Sequence, residues 1–118
     1  MLRVSWMVRA RYATKASPKE VREFLESLSE YWFYNEIKED VDEALELLKK
    51  GDLNGVELSI TERVCTGSAV EYKEQIERYT IDEDGSWYYE EIYPEVDVCF
   101  SCYSEDCEDE TFVYFRYW

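Results

Sequence analysis

From Leu2 to Tyr12 the apolar residues Leu2, Val4, Trp6, Val8, Ala10 and Tyr12 occupy every second position, the period of a strand with one buried face. The opposite phase carries Arg3, Ser5, Met7, Arg9 and Arg11, so three guanidinium groups project from the other side, into solvent or toward acids on a neighbour. At Ser17 the period changes. Ser17-Pro18-Lys19-Glu20 predicts a helix start, with a serine cap, proline at the first helical position and a glutamate to close a capping box. Val21, Phe24, Leu25, Leu28, Tyr31 and Trp32 recur at three- and four-residue steps and predict its buried stripe. Asn35 is then the expected cap of a second helix in which Ile37, Val41, Ala44, Leu45 and Leu48 face the core. Lys49 and Lys50 suit the negative end of its dipole, and Gly51 supplies a left-handed stop.

After Gly55 the period returns to two. Val56, Leu58, Ile60 and Val64 alternate with polar residues up to a turn at 66–68. The stretch 68–79 reads either as a helix, through a second capping box from Ser68 to Glu71, or as a strand. The strand is favoured. A turn at 82–86 sets Ile81 opposite Trp87, Tyr79 opposite Tyr89, Arg78 opposite Glu90 and Ile76 opposite Ile92, all compatible pairs. Val96 to Tyr103 and Thr111 to Trp118 complete the β-rich half. The last segment is apolar on both faces and is expected in the sheet interior. The expected fold is α+β: an antiparallel curved sheet of five or six strands with two helices packed on one face, in the order β-α-α-β-β-β-β-β, as a single domain over 1–118.

Composition narrows the class. A hydrophobic fraction of 46% with 17% aromatics excludes a disordered acidic chain, because enough bulky side chains are present to offset conformational entropy. No apolar run approaches the length of a membrane span, and the N-terminus alternates where a signal peptide would be uniformly apolar. Cys65, Cys99, Cys102 and Cys107 are too few and too clustered for a staple framework, so free thiols and a cytoplasmic setting are expected.

Charge changes the picture most. The 13 Lys and Arg against 28 Asp and Glu leave a net charge of −15, unevenly spread: residues 1–22 sum to +5 and residues 23–118 to −20. Such a surface repels nucleic acid and anionic membranes and attracts basic proteins.

Little catalytic chemistry is on offer. The chain has no histidine, which removes the commonest general base and metal ligand, and its 4 glycines form no phosphate loop. Cys99-Phe100-Ser101-Cys102, with Cys107 and Cys65, has the first spacing of a zinc knuckle, but a strand pattern points Cys99 and Cys102 to opposite faces and no glycine supplies the knuckle turn. Asp82-Glu83-Asp84-Gly85 with Glu91 partly mimics a calcium loop, and a hairpin turn explains the same residues. No pair of carboxylates is marked out for acid–base work. Neither an enzyme, a metal nor a cofactor is therefore expected.

The acidic rows point elsewhere. Carboxylates at alternate strand positions, or three to four apart on a helix, lie about 6 Å apart, comparable to successive phosphates of one nucleic-acid strand. Glu23, Glu26 and Glu30 line the first helix; Glu39, Asp42, Glu43 and Glu46 line the second; Glu105, Asp106, Glu108, Asp109 and Glu110 fill the loop before the last strand. These residues are the expected partner-binding set. The function they imply is a non-enzymatic inhibitor that imitates nucleic acid and occupies the basic groove of a nucleic-acid-processing protein. By charge and size alone, phage and plasmid inhibitors of restriction or CRISPR nucleases are of this kind. The alternative is a ligand- or protein-binding module whose curved sheet presents Tyr72, Trp87, Tyr88, Tyr89, Tyr93, Tyr103 and Tyr114.

Overall fold

The computed structural model describes residues 2–7, 11–67, 69–93, 95–100 and 107–118, with the side chains of 2–7, 11, 12 and 95–97 left aside. Strands β1 (Leu2–Met7) and β2 (Arg11–Ala16) precede helices α1 (Pro18–Ser27) and α2 (Tyr34–Lys50), and β3 (Gly55–Thr66), β4 (Ala69–Ile81), β5 (Trp87–Ile92), β6 (Glu95–Phe100) and β7 (Glu110–Tyr117) follow. All pair antiparallel in one open sheet, in the order β1-β6-β4-β3-β7, with β5 between β2 and β4. The stretch read as one strand from Leu2 to Tyr12 thus contributes to two, β1 against β6 and β2 against β5.

The helix caps follow from the sequence. Glu20 N–H donates to the Ser17 hydroxyl at 3.3 Å, Pro18 opens α1, and Gly51 stops α2 at φ 78°. Two boundaries differ from expectation. α2 starts at Tyr34 behind Phe33, without a side-chain cap from Asn35. α1 ends at Ser27 and tightens into a 3₁₀ turn at Leu28–Glu30, so Tyr31 and Trp32 leave the buried stripe and Trp32 is 69% exposed.

Both helices lie on one face of the sheet. Val21 and Leu25 of α1, Leu28 of the 3₁₀ turn and Ile37, Val41 and Ala44 of α2 pack on Val56, Leu58, Trp87 and Phe115, with Tyr79, Ile81, Val113 and Tyr117 around them. At about 3.3 Å per residue, the 13 residues of β4 run roughly 43 Å. The 17 residues of α2 run only about 25 Å. The helices therefore cover part of the sheet, and beyond Ile60 the helix-side positions turn polar at Glu62, Lys73 and Gln75. The molecule measures 51 × 29 × 18 Å.

Two expectations are overturned. The last strand is not interior: β7 ends the sheet and pairs only with β3 among the described residues. The thiols are not free: Cys65 and Cys107 form a disulfide across 42 residues, and Cys99 is also disulfide-bonded. Spacing along the chain places cysteines on strands but does not reveal which strand ends meet in space.

Candidate functional site

Burial of Ile37, Val41 and Ala44 turns the rest of α2 outward. Glu39, Asp42, Glu43 and Glu46 are all exposed, as are Glu36 and Asp40. Among the described residues none of these carboxylates has a lysine or arginine within ion-pair distance. α1 differs: Glu23, Glu26 and Glu30 are exposed, but Lys19 lies 3.9 Å from Glu23 and Arg22 3.7 Å from Glu26. A 510 Å³ groove between the helices gathers Glu26 and Glu46 beside Lys19, Arg22 and Lys49. Three cations face two carboxylates there, so Glu46 is compensated by its surroundings, and the uncompensated acid of α2 is Glu36, Glu39, Asp40, Asp42 and Glu43.

One flank of α2 runs along the sheet edge. Tyr117 lies beside Glu43, and interaction with that carboxylate, burial and the nearby charges of Glu43 and Asp40 push its pKa up to about 12. Seven residues earlier, Glu36 shares a 560 Å³ groove with Trp32, Asp109 and the start of β7 from Glu110 to Val113. Glu36, Asp40 and Glu43 thus form a row beside β7. The sequence reading passed over Glu36 and Asp40, although their i, i+4, i+7 spacing with Glu43 next to the buried stripe was a usable signal.

The described end of the late acidic loop, 107–110, is tied to β3. Glu105 and Asp106 lie outside the described residues. Glu108, Asp109 and Glu110 are exposed, yet Arg63 donates to the Glu108 carbonyl at 3.0 Å and to the Glu110 carboxylate at 2.9 Å, while Asp109 accepts from the Cys65 N–H at 2.7 Å. The Cys65–Cys107 bond anchors the same end.

Two further acidic centres sit within the sheet. On the face away from the helices Glu57, 6% exposed, accepts from Arg78 at 2.8 and 2.5 Å and from Arg116. Burial raises its pKa, but the hydrogen bonds and charges of Arg116 and Arg78 outweigh it and hold the carboxyl below the usual range. On the helix side, Glu77 and Glu91 are cross-strand neighbours; Tyr89 donates to Glu77 at 3.5 Å, and Gln75 at 3.2 Å and Tyr93 donate to Glu91. Burial and the Glu91 charge raise the Glu77 pKa.

The calcium-like segment is a hairpin turn, in which Asp82 and Asp84 accept from Glu83 N–H and Ser86 N–H and Gly85 sits at φ 82°. Among the described residues no group of three or more Cys, Asp or Glu side chains is arranged to hold a metal. The aromatic set does not line one surface. Trp87 is buried beneath the helices, Tyr89 shares their side, Tyr72, Tyr88 and Tyr114 lie on the opposite face, and Tyr103 is outside the described residues.

Fold and site together define a two-layer α+β protein with an acidic helix layer and a sheet whose other face carries aromatics and balanced charge. Comparison of the chain with protein-family models, curated proteins and solved structures finds no match.

Proposed function

We propose that this is a non-enzymatic binding protein that presents the acidic surface of α2 to a basic partner protein, in the place where that partner takes the phosphates of a nucleic acid. The observation that carries the reading is the row of exposed α2 carboxylates without cationic partners among the described residues. A helix holds these charges at fixed spacing, so little ordering entropy is lost on docking. Self-repulsion opposes so concentrated a charge, and a cationic partner relieves it. Neither direct nucleic-acid binding nor membrane association suits this surface, and no described helix is long and apolar enough to cross a membrane.

A cytoplasmic setting was expected from the alternating N-terminus without an apolar span and, secondly, from free thiols. With Cys65, Cys107 and Cys99 in disulfides the second ground is gone, and surroundings oxidising enough to keep the bonds fit the proposed protein better.

The test replaces Glu39, Asp42, Glu43 and Glu46 together by Gln or Asn and compares capture of basic proteins from a lysate at low and high salt. The neutralised protein should keep its circular dichroism, since Ile37, Val41 and Ala44 still anchor α2, and should lose salt-sensitive capture. Unchanged capture and unchanged salt response would show the reading to be wrong.

A further inference from the structure

Among the described residues the outer edge of β7 is unpaired, and it combines features that isolated sheet edges usually avoid. Gly55 and Trp118 exchange both backbone hydrogen bonds, at 3.1 and 3.2 Å, so even-numbered residues of β7 point their N–H and C=O toward β3. Those of Thr111, Val113, Phe115 and Tyr117 point away from the sheet, and no described strand pairs with them. The edge is regular over 8 residues and has no lysine, proline or bulge to discourage pairing. On the outer face it carries Phe112, 43% exposed, and Tyr114, 62% exposed; on the helix side it is flanked by Trp32, Glu36, Asp40 and Glu43.

We infer that this edge binds an extended segment of the basic partner as an added strand. This rests on the proposed binding of a basic protein and specifies how it is done. Successive side chains of an added strand point to opposite faces. Those on the helix side meet the carboxylates of Glu36, Asp40 and Glu43, and are lysine or arginine. Those on the outer face meet Phe112 and Tyr114, and are aliphatic or aromatic. The spacings agree: Glu36 to Glu43 spans about 10.5 Å of helix rise. Three alternate residues of a strand span about 13 Å. The recognised chemistry is thus a stretch of alternating basic and apolar residues whose backbone bonds to the odd-numbered residues of β7.

A second copy of the chain is the competing occupant. Paired about Val113, two β7 strands would set Glu110 against Arg116 and Phe112 against Tyr114. It would also oppose two molecules of net charge −15 with a Glu36 from each near the axis, which favours the basic segment.

The probe is a synthetic nine-residue peptide alternating lysine with valine and phenylalanine, titrated calorimetrically against the intact, oxidised protein. Controls are a peptide of the same composition with its lysines consecutive, and one N-methylated at alternate backbone nitrogens. The alternating peptide should bind, and both controls should bind at least about tenfold more weakly, the N-methylated one because it loses backbone hydrogen bonds and the other because its lysines no longer share one face. Thr111→Pro, which removes an outward N–H and no bond to β3, should weaken binding similarly, as should Glu36→Gln with Asp40→Asn and Glu43→Gln. Should Thr111→Pro misfold by circular dichroism, the N-methylated peptide against the unaltered protein decides. If charge neutralisation abolishes binding while backbone methylation and Thr111→Pro do not, strand addition is wrong and the acidic-surface reading stands. No binding of any basic peptide at low salt sinks both. A dimer of the free protein that Thr111→Pro dissolves would give the edge to a second copy and overturn the inference.

Discussion

Glu77 and Glu91 face each other across β4 and β5 on the helix side of the sheet, with no lysine or arginine paired to either among the described residues. Like charges directly opposite on neighbouring strands destabilise a sheet. Burial and Glu91 raise the Glu77 pKa, only partly offset by the Tyr89 hydroxyl, and burial and the same negative charges raise the Tyr89 pKa. Because the folded protein holds this proton more tightly than the unfolded chain, stability falls as pH rises from the ordinary carboxylate range through the raised pKa. Glu77→Gln should therefore stabilise at pH 7 by about 0.5–1 kcal/mol. The gain should vanish below about pH 4. Urea denaturation at both pH values checks it.

Glu57 should behave with the opposite sign. Its carboxyl is held below the usual range, so its contribution is full at neutral pH and is lost as pH falls through the lowered pKa. Glu57→Gln removes the carboxylate that Arg78 and Arg116 share and should cost about 1.5–3 kcal/mol at pH 7. The difference from the unaltered protein should narrow below about pH 4, and the same urea series measures it.

Reduction should destabilise the protein and chelation should not. The Cys65–Cys107 bond spans 42 residues and joins the end of β3 to the approach to β7. Constraint of the unfolded chain predicts a loss of about 2–4 kcal/mol on opening such a loop. A melting temperature that drops with a phosphine reductant and stays fixed with a chelator is the expected result; a drop with the chelator alone would point to a metal.

Adjacent residues of β7 should differ sharply in their effect on stability. Phe115 is 6% exposed beneath α2, so Phe115→Ala should cost about 3–4 kcal/mol. Tyr114, on the outer face, should cost less than about 1 kcal/mol as Tyr114→Ala. Chemical denaturation compares them directly. Equal losses would mean that the outer face is packed.

Much of the fold was legible because local rules decide it. Ser17, Pro18 and Gly51 act within one helical turn, and their caps formed as read. The β4–β5 hairpin has the register inferred from the pairing of Ile81 with Trp87 and Ile76 with Ile92, because a short turn leaves few registers and side-chain pairs choose among them. The α2 carboxylates were legible for the same reason: a helix whose stripe is Ile37, Val41 and Ala44 has only one solvent side.

The rest depended on which elements become neighbours. Alternation reveals a strand and its two faces, not its place in the sheet, so β7, apolar on both sides, read as interior although it lies at the edge with Phe112 and Tyr114 uncovered. Glu57 stands in the phase opposite to Val56 and Leu58 and would be expected in solvent. It is buried because β4 and β7 flank β3 in registers that bring Arg78 and Arg116 over it from either side. Cys65 and Cys107 meet only once β3 and β7 are paired. Sequence pattern determined the elements and the sign of the surface, since both follow from residues close along the chain. Tertiary structure decided the sheet edge, the two arginines over buried Glu57 and the disulfide, since each needs residues distant in sequence to be brought within a few ångströms.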